Sequence, residues 1–597
     1  MTEMWTDLKV SRIQGLLARY DFLMGGEARR VLPLRRHIKN APPDGGAEGI
    51  LSQTPAEMSG LDVSDMNLEE SPVSVDAALS GSSTLPPFAL PKQPAREERT
   101  LTDDQLSRNP SLHGMSEYVL SPEAAEHPEL LPMDIFRRQV TDLTSALVRK
   151  GKSLRGVPTS ELEARLAKAQ VLMEEAQLDS ILLSTEQDFF YFTGLPSRFW
   201  NSPTRPFFLL IPREGPRPIA VVPSIFKHCI TSRTWLRPEH VMTWSAPQPE
   251  DDGVTLLAQT IGTVVPQKHK RVGFQMGPET TVRMPLADVD RVRGLLSREY
   301  SVSTVDGRCV MRALRLVKSQ LEVDRVRHTC AIASAAFALL PARLQALRAT
   351  KAATEGTDCV SEREARDALR LMMVEFGADD TAYVMAQSGK GGYDNIVLEP
   401  SDMPLAPGDV LIIDTGITFE GYWCDFDRNY VVGGTSHLPA ATSACHDMLW
   451  RATEKGFEEA GRPGATSTSV FRAMARECGI PDDASDDAGV GRFGHGLGLQ
   501  LTELFSNSAS DETPLAPGFV MTLEPSALID PSAAEDDEQM LAHEEDIAIT
   551  EQGAVWLSLR APREMAVILP DAAHAEQNDA LRALPVLCSA LRRELQL

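Results

Sequence analysis

Apolar residues fall into two kinds of pattern along this chain. In TSELEARLAKAQVLMEEAQL (159–178), Leu162, Leu166, Ala169 and Met173 recur at three- and four-residue steps, which predicts a helix. MDIFRRQVTDLTSALVRKGK (133–152) comes before it and marks where order should begin. DSILLST, FFLLIP and PIAVVPS are short apolar runs bounded by Pro and Gly, hence strands, and RVGFQ and YSVSTVDG repeat the theme. Helix and strand alternate as far as Gly307, so residues 131–312 are expected to form one α/β domain.

A second domain is expected over 313–565. A long helical pattern at 315–347 places Leu321, Val326 and Ala331 to Ala336 on its apolar side, and EREARDALRLMMVEFG is another helix. DVLIIDTG, YVVGG, FVMTLEPSALI and EEDIAITEQGAVWLS read as strands. Helices gather early and strands late, which predicts an α+β domain. EQNDALRALPVLCSALRRELQL adds a helical tail within 566–597. Residues 1–130 differ from the rest. From about residue 40 they are rich in Pro, Ser, Gly and acid, and bury too little apolar surface to offset chain entropy. A mostly disordered extension with an Arg-rich helix at its start is expected.

Charge and cysteine usage narrow the class. The formal net charge is −25, against nonspecific nucleic-acid binding, which needs a basic footprint. Eight cysteines lack CxxC pairing, as expected for reduced thiols in the cytoplasm. No apolar run reaches the roughly 20 residues of a membrane span. Organellar import is the alternative location, since SRIQGLLARYDFLMGGEARR is amphipathic and Arg-rich, but it carries Asp21 and Glu27.

The chemistry is carried by acids at the ends of apolar runs. Asp414 follows VLII, Asp425 follows GYWC, His495 lies within GRFGHGLGLQ, Glu524 follows FVMTL and Glu545 precedes DIAIT. Singly, a strand-end Asp is a turn former and a lone His is structural. As a set, four carboxylates beside strand cores cannot all be buried and ionised without cations. Two divalent ions resolve the repulsion. Four carboxylates and one imidazole suit Mn, Fe, Co or Zn in an oxygen-rich site, not a thiolate zinc site.

From Arg315 to about Pro562 the chain resembles metallopeptidase family M24, the pita-bread fold of methionine aminopeptidase, Xaa-Pro aminopeptidase, prolidase and creatinase. DTG, CDFDR, GHGLG, LEP and HEED carry the resemblance, in that order. It implies that Asp414, Asp425, His495, Glu524 and Glu545 are the metal ligands. Asp425 and Glu545 would bridge two divalent ions, Asp414 would complete one shell, and His495 and Glu524 would hold the other ion. A metal-bridging water would be the nucleophile, with Glu524 as proton shuttle. PLAPGDVLIID and PLAPGFVMTLEP match the family's two pseudo-symmetric halves. DSILLSTEQDFFYFTGL and FFLLIPREGPRPIAVVPS resemble the creatinase and prolidase N-terminal domain. The resemblance implies a hydrolase of short peptides or small molecules, most like Xaa-Pro aminopeptidase and prolidase. It also implies a homodimer, with no nucleic acid or membrane as partner. Tyr191, Arg198, Trp200 and Arg205 are candidate substrate contacts, with packing as the alternative for the aromatics.

Three departures from the family pattern bear on the reaction. GGYDNIVLEPSDMPLAPGD holds no His where family peptidases carry one. Thr502 stands before Glu503 where another His is usual, and Asp427 replaces a usual Thr. Asp427 reads as a hydrogen-bond partner behind the ligands, with direct ligation as the alternative. The alternative reaction is that of a dimethylsulfoniopropionate lyase or a creatinase-like C–N hydrolase, with Asp427 or Glu503 as the base. A non-enzymatic interaction module is a third reading, but such modules usually lose metal ligands.

Overall fold

The computed structural model describes residues 131–202, 205–481, 491–533, 538–575 and 579–597. The expectations for the N-terminal extension, 1–130, lie outside the described residues.

The first part of the fold is a single twisted sheet. In chain order it comprises α1 (Pro132–Leu154), α2 (Thr159–Glu175), β1 (Ser180–Leu183), α3 (Glu186–Thr193), β2 (Phe208–Pro212) and β3 (Ile219–Pro223). It continues through α4 (Lys227–Arg233), β4 (Val241–Trp244), α5 (Val254–Gln259), β5 (Arg271–Phe274), α6 (Leu286–Leu295), β6 (Ser303–Asp306) and α7 (Arg308–Leu316). The six strands lie in the order β4-β3-β2-β1-β5-β6. β2 pairs antiparallel with β1 and β3, and the remaining pairs are parallel. β1, β2 and β3 are buried at every position, which is why they read as unbroken apolar runs without alternation. Phe208, Leu210, Val221, Leu257, Val272 and Leu296 belong to one core between sheet and helices.

The second part repeats one plan twice. Its first half runs α8 (Gln320–Thr354), α9 (Glu362–Glu375), β7 (Asp380–Lys390), β8 (Asp409–Phe419), β9 (Tyr422–Trp423) and β10 (Phe426–Val432). Its second half begins with α10 (Ala440–Ala460), α11 (Ser467–Glu477), β11 (His495–Gly496), β12 (Glu503–Ser506) and β13 (Val520–Leu523). β14 (Ser526–Leu528), β15 (Met540–Ala542), β16 (Glu545–Thr550), β17 (Gly553–Trp556), β18 (Ala566–Ile568) and α12 (Ala580–Glu594) complete it. The expected sequence of early helices and late strands is therefore corrected: two helices open each half. α9 and α11 start alike. Ser361 and Thr466 cap them with reciprocal capping boxes, and these same residues bridge to Pro404 and Pro514 of the two PLAPG stretches. Asp414 and Glu524 each lie ten positions after that proline. Two sheets result, β18-β10-β8-β7 with β9 beside β8, and β12-β11-β13-β16-β17.

α1 lies along α8 and α12. Lys150 Nζ bonds the Leu595 carbonyl at 3.2 Å, and the Arg343 guanidinium stacks over Phe136 at 5.3 Å. Among the described residues, α8 is the one helix long and apolar enough to cross a membrane, which corrects the expectation that no such run exists. That apolar stretch is 78% buried inside the fold, so its side chains serve the core.

The six-stranded sheet and the two later sheets meet through paired charges. Arg315 on α7 bonds Asp188 of α3 at 3.0 Å and also Glu503 of β12. Lys318 Nζ reaches the other Glu503 oxygen at 3.0 Å. Arg165 is 2.8 Å from the Tyr191 carbonyl and 3.7 Å from Glu322. Burial alone would raise the Glu503 pKa, but Arg315 and Lys318 reverse this and hold it at about 2. A carboxylate whose folded pKa lies below its ordinary 4.5 contributes stability above that pH and loses it as pH falls toward 2. Glu503→Ala leaves Lys318 buried without its carboxylate and Arg315 with Asp188 alone, so stability at neutral pH is expected to fall by about 3 kcal/mol. Urea unfolding of both proteins at about pH 7 and about pH 3.5 measures it. The gap should narrow at the lower pH, and an equal gap at both would refute this account.

Candidate metal centre

The site is built from inner strands of both sheets, β8 and β10 of one and β11, β13 and β16 of the other. β8 pairs antiparallel with β10, and Asp427 stands opposite Asp414. Asp425 sits just before β10, in the turn leaving β9. In the other sheet β13 pairs with β16, Thr522 opposite Asp546 and Leu523 opposite Glu545. Two backbone-to-carboxylate bonds stitch the sheets. The Asp425 N–H donates to Asp546 Oδ2 at 2.9 Å, and the Glu544 N–H to Asp427 Oδ1 at 3.0 Å.

Two groups of donor atoms result. Asp414, Asp425 and Glu544 offer oxygens that lie within 4.8 Å of one another, all three residues being buried. Asp425, His495 and Glu524 form the second group, with His495 Nε2 at 3.3 Å from Asp425 and 3.5 Å from Glu524. Asp425 belongs to both. His495 is aimed by its surroundings. Its N–H donates to Thr522 Oγ1 at 2.9 Å, and its Nδ1 lies 3.0 Å from the Gly496 carbonyl. A carbonyl only accepts, so Nδ1 carries the proton and Nε2 faces the carboxylates. Gly494 permits this approach: its φ is +140°, and a Cβ there would stand 2.2 Å from the Thr522 carbonyl oxygen.

The electrostatics are those of a site short of positive charge. Burial pushes the Asp414 carboxyl well up, and Asp425 and Asp427 push it further. Glu544 is raised well above its ordinary value by burial and by Asp414 and Asp427. Asp425 and Glu524 are also raised, burial being the main cause. His495 moves the other way: burial lowers it, but Glu524 and Asp425 outweigh this and bring it to about 9. Asp414 Oδ2 accepts the Tyr383 hydroxyl at 3.0 Å, while its Oδ1 is buried without a partner. Buried carboxylates gathered around one imidazole, with orphaned oxygens, fit divalent cations.

Glu545 is not in this site, and the expectation that it ligates metal is corrected. Its oxygens accept from Arg560 Nη1 at 3.1 Å, Ala561 N–H at 2.7 Å, Arg428 Nη2 at 3.0 Å and the Ser558 hydroxyl. Strand alternation gives the reason. Glu545 shares a face with Ile547 and Ile549, which are in the apolar core, and stands opposite Leu523. The opposite face carries Thr522, Asp546 and, one step beyond the strand, Glu544. The alternation of Ile547 and Ile549 is the sequence signal that distinguishes the two glutamates.

The remaining candidates divide. Asp427 is 1% exposed, beside Asp414, with Oδ2 unpartnered, and burial raises it to about 7. Thr502 Oγ1 accepts from Arg492 Nη2 at 3.4 Å. Glu503 is consumed by Arg315 and Lys318. Arg198 is tied to Asp380 and the Asp379 carbonyl, at the far end of β7 from Asp414. Arg205 engages through its carbonyl, which accepts from Arg283. Tyr191 and Trp200 are buried, with Arg165 and Arg283 stacked on their rings. Sequence reasoning missed Tyr383 and Arg492, the latter with its Nε 3.6 Å from Glu524. The sequence carries no signal for Tyr383. Arg492 stands three residues before His495, and that was the available signal.

Glu544→Gln is expected to lower divalent-metal affinity at least about tenfold. Glu545→Gln should retain metal and lose stability, because Arg428 loses its carboxylate partner and Arg560 keeps Glu454 alone. Metal content after dialysis, with thermal unfolding, separates the two; metal loss in the Glu545 variant alone would reverse the assignment.

The signature of metallopeptidase family M24 matches residues 324–551, and that of the creatinase/prolidase N-terminal domain matches 165–317. A protein named "Probable dipeptidase PepE" from Mycobacterium tuberculosis is 28% identical over 420 residues, 68% of this chain and 96% of that one. An Xaa-Pro dipeptidase from Pyrococcus furiosus is 28% identical over 258 residues, 43% of this chain and 66% of its own length. The crystal structure of dipeptidase PepE from Mycobacterium ulcerans superposes with a TM-score of 0.53 at 24% identity, covering 69% of this chain and 99% of that one, and shares the fold. With a creatinase/prolidase N-terminal domain leading into a catalytic domain of this build, the chain belongs to metallopeptidase family M24.

Proposed function

We propose that this chain hydrolyses the amide bond of dipeptides and other short peptides, an Xaa-Pro dipeptide being the first candidate. Asp414, Asp425, His495, Glu524 and Glu544 would hold two divalent ions. The observation that carries this reading is Asp425, whose carboxylate belongs to both donor groups, as a bridging ligand must. Mn, Fe, Co and Zn suit four carboxylates and one imidazole. When bound, such ions supply Lewis acidity toward a carbonyl and lower the pKa of a water. The dipeptidase names of the relatives support the substrate class.

The chain's own groups take the remaining roles. Glu524 has Oε2 toward His495 and Oε1 toward Arg492. We assign it the transfer of a proton at Oε1 to the departing amine. Arg492 is half-exposed beside Glu524 and Thr502, where the family's His is missing, and we assign it a substrate oxygen or carboxylate. Asp427 acts from behind, by holding the Glu544 backbone. Of the two bases the lyase alternative offers, Glu503 is held ionised by two cations at a pKa of about 2 and has no free role, which leaves that reading Asp427 alone.

The proposal divides the chain into the extension 1–130, the N-terminal domain 131–312, the catalytic domain 313–565 and the tail 566–597. It includes a homodimer, read as a mass twice 65.3 kDa by light scattering. A reducing compartment such as the cytoplasm suits eight free cysteines.

Mn- or Fe-loaded protein is expected to release proline from an Xaa-Pro dipeptide and to leave dimethylsulfoniopropionate intact. The opposite outcome would overturn the reading. Arg492→Ala should raise KM by about tenfold or more with a smaller change in kcat, from the loss of one charge-assisted bond. Steady-state kinetics on the dipeptide and on its C-terminal amide check this.

A further inference from the structure

At the end of β10 away from Asp425, two loops bring two imidazoles and a carboxylate together. The loop after β10 carries His437, and the loop after β18 carries Asp571 and His574. β10 and β18 are parallel neighbours, so both loops leave the same edge of the sheet. Backbone bonds tie the loops before any side chain is considered. The Gly433 N–H donates to the Ile568 carbonyl at 3.0 Å, and the Asp571 N–H to the Gly433 carbonyl at 3.1 Å. Eight residues separate Asp425 from Gly433, so this cluster lies roughly 20 Å or more from the metal centre.

The donors converge. His437 Nε2 is 2.8 Å from Asp571 Oδ2, and His574 Nδ1 is 2.6 Å from Asp571 Oδ1. The three donor atoms lie within 4.8 Å of one another. His574 and Asp571 are each oriented by a further contact. Ser436 Oγ is 3.0 Å from His574 Nε2, the ring nitrogen turned away from Asp571. Asp571 Oδ1 also accepts the N–H groups of Ala573 and His574, each at 3.1 Å. A hydroxyl on the second nitrogen of an imidazole and backbone bonds on a carboxylate are what orient metal ligands. Gly434 makes the room: a Cβ there would meet the His574 ring at 2.7 Å. His437 is exposed, which leaves the outward side open to water.

We propose that His437, Asp571 and His574 form a second metal site, independent of the catalytic pair, which takes one borderline divalent ion such as Zn²⁺ with water as its fourth ligand. Two nitrogens and one oxygen favour Zn²⁺ over Mn²⁺ or Mg²⁺. Zn–N and Zn–O bonds of about 2.0–2.2 Å place neighbouring donors of a tetrahedral ion about 3.4 Å apart. The two contacts to Asp571 must therefore open by about 0.6–0.8 Å, a small side-chain rotation. The ion would fasten the loop after β10 to the segment that leads into α12.

The test is a metal count on the full chain. Protein stripped with chelator is dialysed against Zn²⁺ and analysed by mass spectrometry, as wild type and as the double variant His437→Ala/His574→Ala. The double variant is expected to bind one equivalent fewer. In an Asp425→Asn background, which targets the catalytic pair alone, the peripheral equivalent should persist, and adding the double substitution should remove it. Equal counts with and without the two histidines overturn the proposal and leave the trio as a hydrogen-bonded cluster about Asp571. Loss of the catalytic pair would instead lower the count of both proteins together, so the two failures are distinguishable.

Discussion

Four buried carboxylates and one half-buried one govern the catalytic domain. Burial raises Asp414, Asp425, Asp427, Glu524 and Glu544, neighbouring carboxylates raise all but Asp425 further, and His495 and Arg492 pull Asp425 and Glu524 back. At about 4 Å and an effective dielectric constant near 20, one like-charged pair costs about 4 kcal/mol. No packing of apolar side chains offsets several such pairs. The fold meets this cost with rigidity. Two PLAPG turns, each bridged to a capped helix start, launch the strands that end in Asp414 and Glu524. The carboxylates cannot spread apart, so the centre keeps its demand for cations.

The same chain shows what it does with acids that need no metal. Glu503 meets Arg315 and Lys318, Glu545 meets Arg428 and Arg560, and Glu322 meets Arg165. Each of these buried acids has a protein cation within 4 Å. Among the described residues, Asp414, Asp425 and Glu544 have no Lys or Arg within 4 Å, and Glu524 has Arg492 at 3.6 Å. This contrast separates the site from the structural acids more sharply than burial does, because both classes are equally buried. It also separates the catalytic centre from the His437, Asp571 and His574 trio, where one carboxylate is outnumbered by two imidazoles.

Much of this was legible in the sequence where a motif coincided with the end of an apolar run. Asp414, Asp425, His495 and Glu524 stand at such ends, and the structure brings all four together. The sheet domain was legible because β1, β2 and β3 are buried on both faces and read as pure apolar runs. Other features depended on three dimensions. α10 and α11 interrupt the strands because the domain repeats a plan, and their stripes are diluted by Thr, Ser and charged residues. Tyr383 reaches Asp414 across the β7–β8 pair from thirty-one residues away. Arg198 was a reasonable substrate contact by composition, yet Asp380 pairs with it at the domain junction.

The choice between Glu544 and Glu545 shows how the strands enforce the site. Adjacent residues on β16 point to opposite faces, and so do adjacent residues on β10. Asp427 and Arg428 are adjacent on β10; both hold the Glu544 backbone, and Arg428 alone pairs with the Glu545 carboxylate. Asp427 Oδ1 takes the Glu544 N–H, and Arg428 Nη2 takes the Glu545 carboxylate. A slip of one residue between the strands would bring Glu545 to the carboxylate cluster and leave Arg428 facing Asp546 or Glu544. Arg428 thus fixes the register by holding the acid that must stay out, and Asp427 by holding the backbone of the acid that must face in. A neutral Thr at 427 can accept the same N–H through its hydroxyl, so the register does not need the Asp. The carboxylate adds a buried, half-partnered charge beside Asp414, and that addition distinguishes this centre from the pattern usual in its family.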